Sequence, residues 1–253
     1  MWWGQLFATA LYLPLWWWEG APWGEVSLWV LGITAGSSML AYYGMSRAYR
    51  LGPLTLMVPV VSTWSAVAAL LGVLVLGERP GAIQGLGALL TVMGGVANTL
   101  FQPSLPVEHP SSRTDVWRGI GWAAAASFGF GVLMLGVVQL TKSLGTGGVM
   151  PAVWGLQWLL FAPFWTNRGR MVRWPNGPGA IALMGALEAL GFWFAALGVQ
   201  MAPLALVGPA SALSSVLTVV AMRVFFGEPV PAARWACVLV ATLGLVLLAL
   251  PSQ

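Results

Sequence analysis

Glu188 is the residue with the most chemistry to offer. It sits near the middle of an apolar run over 178–201. A carboxylate at the centre of a bilayer costs at least about 2.5 kcal/mol, and such groups usually face a cavity. There it can exchange a proton or bind a cationic solute. Gly185 and Gly191 leave space on either side of it. The plainer alternative is a protonated acid bonded to a neighbouring helix.

Pro59 and Pro209 each lie inside an apolar run, where a proline removes one i−4 hydrogen bond. Interrupted helices line the sites of many transporters, although a packing kink explains the same residue type. Hydroxyls follow both prolines: Ser62, Thr63 and Ser65, then Ser211, Ser214 and Ser215. They are candidate ligands for a solute, or simply hydroxyls bonded back to their own helix. The mid-run aromatics are Tyr42, Tyr43, Trp64, Trp154, Trp158, Phe192 and Trp193, and Gln157 adds an amide. Such rings can wall a solute or hold a cation over their faces, but most aromatics in these places only pack.

Other chemistry is excluded by residue supply. The chain has one cysteine, Cys237, and one histidine, His109. Neither a disulfide framework nor a thiolate metal site can be built. No metal ligand set, catalytic triad or ATP-binding motif is present, so no catalytic residue and no cofactor are expected.

The elements that must position these residues are membrane helices. Hydrophobic types make up 58% of the 253 residues and charged types only 7%, against about 25% charged in a soluble domain. Nine apolar runs reach spanning length: 2–18, 26–49, 53–76, 82–101, 117–141, 149–166, 178–201, 203–226 and 232–250. Tryptophans cluster at run ends, as at membrane interfaces. No signal peptide is apparent, since the first run opens at Trp2 without a basic segment before it. The net charge of +4 sits in short loops and does not point to nucleic acid. The Pro- and Ser-rich stretch 102–116 is the expected linker between a first half, 1–101, and a second, 117–253.

The two halves repeat at an offset of 150. Pro53 matches Pro203, Pro59 matches Pro209, Gly77-Glu78 matches Gly227-Glu228, and Gly94 matches Gly244. Tyr43 pairs with Trp193, and Ser38 pairs with Glu188, so the halves differ chemically at that position. Matched runs lie five apart, an odd number, and therefore cross in opposite directions. An inverted repeat is expected, the arrangement that many secondary transporters use for alternating access. Charge agrees: Arg47, Arg50, Arg113, Arg118, Arg168, Arg170, Arg173, Arg223 and Arg234 fall on one side, and only Arg79 and Lys142 on the other. The first side is expected in the cytoplasm, with the N-terminus inside and the C-terminus outside. Glu78 and Glu228 are expected to serve turns or helix N-termini. Small residues at Gly81, Gly85, Gly94, Ala232, Ala236 and Gly244 favour close helix packing, as between the halves.

The block Pro59-Val-Val-Ser, Leu76-Gly-Glu-Arg79, Gln84-Gly85 and Gly94-Gly95, with its copy Pro209-Ala-Ser-Ala, Phe226-Gly-Glu228 and Gly244, resembles the EamA domain of the drug/metabolite transporter superfamily. The resemblance implies an all-α polytopic fold of two five-helix inverted halves. It also implies movement of small metabolites or drug-like solutes, often outward. Nine runs against the family's ten imply that the first helix is missing.

The resulting expectation is a secondary transporter in the inner (cytoplasmic) membrane, probed at Glu188, Ser38, Tyr43, Trp193, Pro59, Pro209, Trp64, Ser214 and Gln157. Its partners would be the lipid bilayer, a small-molecule solute and protons, with a homodimer compatible. A lipid-linked-substrate enzyme would need clustered His, Asp or Glu. A scaffold or channel would leave the mirrored prolines and the buried acid unexplained.

Overall fold

The computed structural model describes residues 2–20, 24–101, 112–166, 177–211, 213–227 and 230–250. The expected linker up to residue 111, His109 and Glu228 lie outside the described residues. Every regular element among the described residues is a helix: α1 Trp2–Trp18, α2 Leu28–Leu51, α3 Leu54–Ser62, α4 Trp64–Leu76, α5 Ala82–Leu100, α6 Arg113–Thr166, α7 Pro178–Met201, α8 Leu204–Ala210, α9 Leu213–Phe226 and α10 Ala232–Leu248.

These map onto the nine apolar runs once three junctions are understood. Helices α3 and α4 are one span kinked at Thr63, four residues after Pro59. There the Thr63 N–H bonds three residues back, to Val60 O at 3.2 Å. Helices α8 and α9 are likewise one span, bent just after Pro209 at Ser211. Conversely α6 holds two spans joined at Gly145, whose φ of 67° breaks the helix in a conformation open to glycine. This helix also begins at Arg113, earlier than hydropathy suggests. Ser112 caps it, accepting the Asp115 N–H at 3.1 Å and donating to the Asp115 carboxylate at 2.6 Å.

The faces of these helices are inverted relative to a soluble protein. On α7 the buried positions are Gly185, Ala189 and Ala196. Leu183, Leu187, Leu190 and Phe194 point outward and are exposed. Large apolar side chains outside and small ones inside suit a helix that packs closely on protein and faces lipid. Leu56–Leu76, Arg113–Leu160 and Pro178–Met201 are long and apolar enough to cross a bilayer. The chain is a multi-pass membrane protein.

Two compact units form, Met1–Met39 with Gly136–Met201 and Leu40–Leu135 with Ala202–Gln253. Each draws on both sequence halves. In the first unit α1 and α7 run parallel: Gly4 meets Gly185 backbone to backbone, and further along the Tyr12 hydroxyl donates to Ala189 O at 2.7 Å.

In the second unit α5 and α10 run antiparallel. Gln84 Nε2 donates to Leu250 O at one end, and Arg234 Nε donates to Asn98 Oδ1 at the other. Their contact is reciprocal. A Cβ on Gly94 would fall 2.6 Å from Ala241 N and 2.8 Å from Cys237 O; one on Gly244 would fall 2.5 Å from Thr91 N and 2.7 Å from Gly87 O. Residues 94, 91 and 87 are the offset partners of 244, 241 and 237. Helices α4 and α8 also run antiparallel, with Gly72 against Ala205 and Gly208 against Ser65.

Candidate functional site

The first unit gathers four of the residues singled out in the sequence: Ser38, Gln157, Glu188 and Trp193. On α1, the positions Gln5, Ala8 and Tyr12 recur at three- and four-residue spacing and are all buried. Across from them the second leg of α6 contributes Trp154 and Gln157. Tyr12 meets the Trp154 ring edge-on at 5.9 Å between centroids, and Trp154 meets Phe192 of α7 the same way at 5.9 Å. From α2, the Ser38 hydroxyl donates to Gln157 Oε1 at 3.2 Å.

Glu188 lies at the α1–α7 crossing, one turn beyond Gly185. It is half-buried. A Cβ on Gly4 would stand 3.9 Å from its Oε2, an ordinary contact distance, so the carboxylate lies beside α1.

This interior leaves hydrogen-bonding capacity unused. Gln5 Oε1, Gln157 Nε2, Trp154 Nε1 and Trp193 Nε1 are buried with no hydrogen-bond partner. Each unmet buried group costs about 1–3 kcal/mol. Four in one unit of an apolar protein is a concentration of polar atoms that folding does not satisfy. An incoming molecule with both acceptors and donors can satisfy them.

The second unit holds Tyr43, Pro59, Trp64, Pro209 and Ser214. Trp64 and Ser214 come together with Ser62, Ser65 and Ser211 around a cavity of about 40 Å³. That is room for water or an ion, not for a metabolite. Pro59 and Pro209 are buried and bend the two spans that line it. Tyr43 stands apart from this cavity: it is 49% exposed and meets the Trp122 ring edge-on at 5.4 Å, whereas its neighbour Tyr42 is buried against Phe130.

Two further carboxylates tie helices together. Glu78 accepts the N–H groups of Leu204 and Ala205 at 2.8 and 2.7 Å, capping α8, whose Pro203 offers no side-chain cap. Glu19 accepts the Gly147 N–H at 2.8 Å and the Thr146 hydroxyl, capping the second leg of α6 just past Gly145. Both place negative charge at the positive end of a helix. The sequence foresaw such a role for Glu78. It gave no signal for Glu19, Gln5 or Tyr12, whose partners are far away in the chain.

Comparison with known proteins agrees with this architecture. The sequence model of the EamA-like transporter family matches residues 1–100. No curated protein matches the chain. Among solved structures, one described as "Crystal structure of protein" superposes with a TM-score of 0.74 at 18% identity, covering 100% of this chain and 87% of its own. At that identity the likeness speaks for the fold. Residues 1–100 thus resemble the EamA-like transporter family, and the helical membrane fold of the described residues agrees with that likeness.

Proposed function

We propose that the chain is a secondary transporter that moves small metabolites or drug-like solutes out across the cytoplasmic membrane by alternating access. In this account Glu188 exchanges a proton during the cycle. The likeness of residues 1–100 to the EamA-like transporter family supports the coarse statement, a transporter of the drug/metabolite type. The finer one is carried by a single observation. Four buried polar atoms without partners lie in the same unit as the mid-helix Glu188, on α1, the second leg of α6 and α7.

The solute contacts in this account are Gln5, Trp154, Gln157 and Trp193, with Ser38 holding the Gln157 amide. A solute with hydrogen-bond acceptors answers the two indole N–H groups and the Gln157 amide, and a donor on it answers Gln5. Tyr12 and Phe192 add aromatic surface. The reciprocal packing of α5 on α10 at the 150-residue offset supports an inverted repeat of two halves, 1–101 and 117–253.

The test loads proteoliposomes with a small-molecule extract of cells and follows each component's release by mass spectrometry. A restricted set of solutes should leave faster than from protein-free vesicles. Identical release from both would remove the transport reading.

A further inference from the structure

We propose that the small cavity of the second unit is a binding site for a desolvated monovalent cation of about sodium size. Ser62, Trp64, Ser65, Gly95, Val96, Ser211 and Ser214 line it, so four of its residues carry hydroxyls. A carbonyl can only accept, so a hydroxyl bonded to one has committed its proton. Ser62 donates to Val58 O at 2.9 Å, Ser65 to Ser62 O at 3.3 Å, and Ser211 to Gly208 O. With those protons turned back into the helices, the oxygens present lone pairs to the cavity.

Three acceptor oxygens whose protons are already spent suit a positively charged guest and not an anion. No carboxylate lines the cavity. A divalent ion would bring more charge than neutral oxygens can offset after leaving water. A monovalent ion needs only that oxygens replace its hydration shell, as carbonyl rings do in channel filters. The cavity's roughly 40 Å³ leaves space for a water to complete the shell.

The site owes its position to the two prolines. The kinks at Thr63 and Ser211 fall beside it, on spans that are otherwise in close contact from Ser65 to Gly72 and from Ala205 to Gly208. An ion bound there touches both bent spans at once. It goes beyond the solute site of the first unit and does not depend on it.

The experiment measures equilibrium binding of radioactive sodium to the purified full chain in detergent. Saturable binding is expected, displaced by unlabelled sodium but not by choline. Removing one oxygen, in Ser65→Ala or Ser211→Ala, should weaken it about tenfold or more, the scale of one contact to a charge. Ser65→Thr restores the oxygen and should restore binding. Thr242→Ala removes a hydroxyl of α10 that bonds Val238 O outside the cavity, and should leave binding intact.

Absence of saturable binding, or binding that survives both alanine variants, overturns the proposal. Displacement by methylammonium as effective as by sodium also overturns it, in favour of an amine head group. Because no transport is read, a chain that binds sodium yet moves no solute leaves this site standing and sinks only the transport account.

Discussion

The Ser38 hydroxyl donates to Gln157 Oε1 at 3.2 Å, while Nε2 of the same amide is buried with no partner. One end of the side chain is thus fixed and the other is left presenting its hydrogens. A purely structural pair would do better as hydrocarbon, because replacing both partners of a buried hydrogen bond by apolar groups of similar shape is nearly neutral or stabilising.

Gln157→Leu alone should lower stability by about 1–3 kcal/mol, because it leaves the buried Ser38 hydroxyl without its acceptor. Gln157→Leu with Ser38→Ala should fold as well as the parent, within about 1 kcal/mol. Solute release from vesicles by this double variant should nevertheless fall at least about tenfold, one lost hydrogen bond to a bound molecule. Thermal unfolding followed by tryptophan fluorescence checks the first statement and the vesicle assay the second. Full release by the well-folded double variant would show that the amide has no part in binding.

Glu78→Ala should lower stability by about 2 kcal/mol, because two N–H groups at the start of α8 lose a charged acceptor. Glu78→Gln keeps one acceptor oxygen and should recover part of that loss. Unfolding in detergent monitored by circular dichroism orders the three proteins: parent, Gln, Ala. If Glu78→Ala were as stable as the parent, the cap would be dispensable.

Gly94→Val and Gly244→Val should be damaging to a similar degree, since each added side chain drives into backbone atoms of the facing helix. Overpacking of this kind costs about 1–3 kcal/mol or more when backbone must move. Gly85 of α5 has nothing within reach of an added Cβ, so Gly85→Ala should be neutral or gain up to about 1 kcal/mol of helix propensity. The yield of monodisperse protein on size-exclusion chromatography separates these cases. Unequal damage at residues 94 and 244 would count against the reciprocal packing.

How far the sequence carried depends on the range of the interaction. The nine runs were legible because lipid demands long apolar segments, and even the bends at Thr63 and Ser211 followed from Pro59 and Pro209. Gly145 was harder to place: α6 continues for 54 residues, and only the φ of one glycine marks where two spans meet.

The site was less legible. Glu188 stood out because a mid-helix acid is rare in a membrane run. Tyr12 did not, because its partner Ala189 lies 177 residues away. The pair Tyr42 and Tyr43 shows the limit of phase. Adjacent residues on a helix point about 100° apart, and only packing reveals that Tyr42 is inside while Tyr43 is half exposed. The grouping of unpaired polar atoms was invisible for the same reason, since Gln5 and Trp193 belong to distant segments.

The central claim is that transport proceeds with Glu188 exchanging a proton. Once vesicle release has identified a transported solute, its rate is measured with and without an imposed pH gradient, for the parent and for Glu188→Gln. The account predicts that the gradient changes the parent's rate and leaves that of Glu188→Gln unaltered. Equal gradient dependence in both proteins would contradict it.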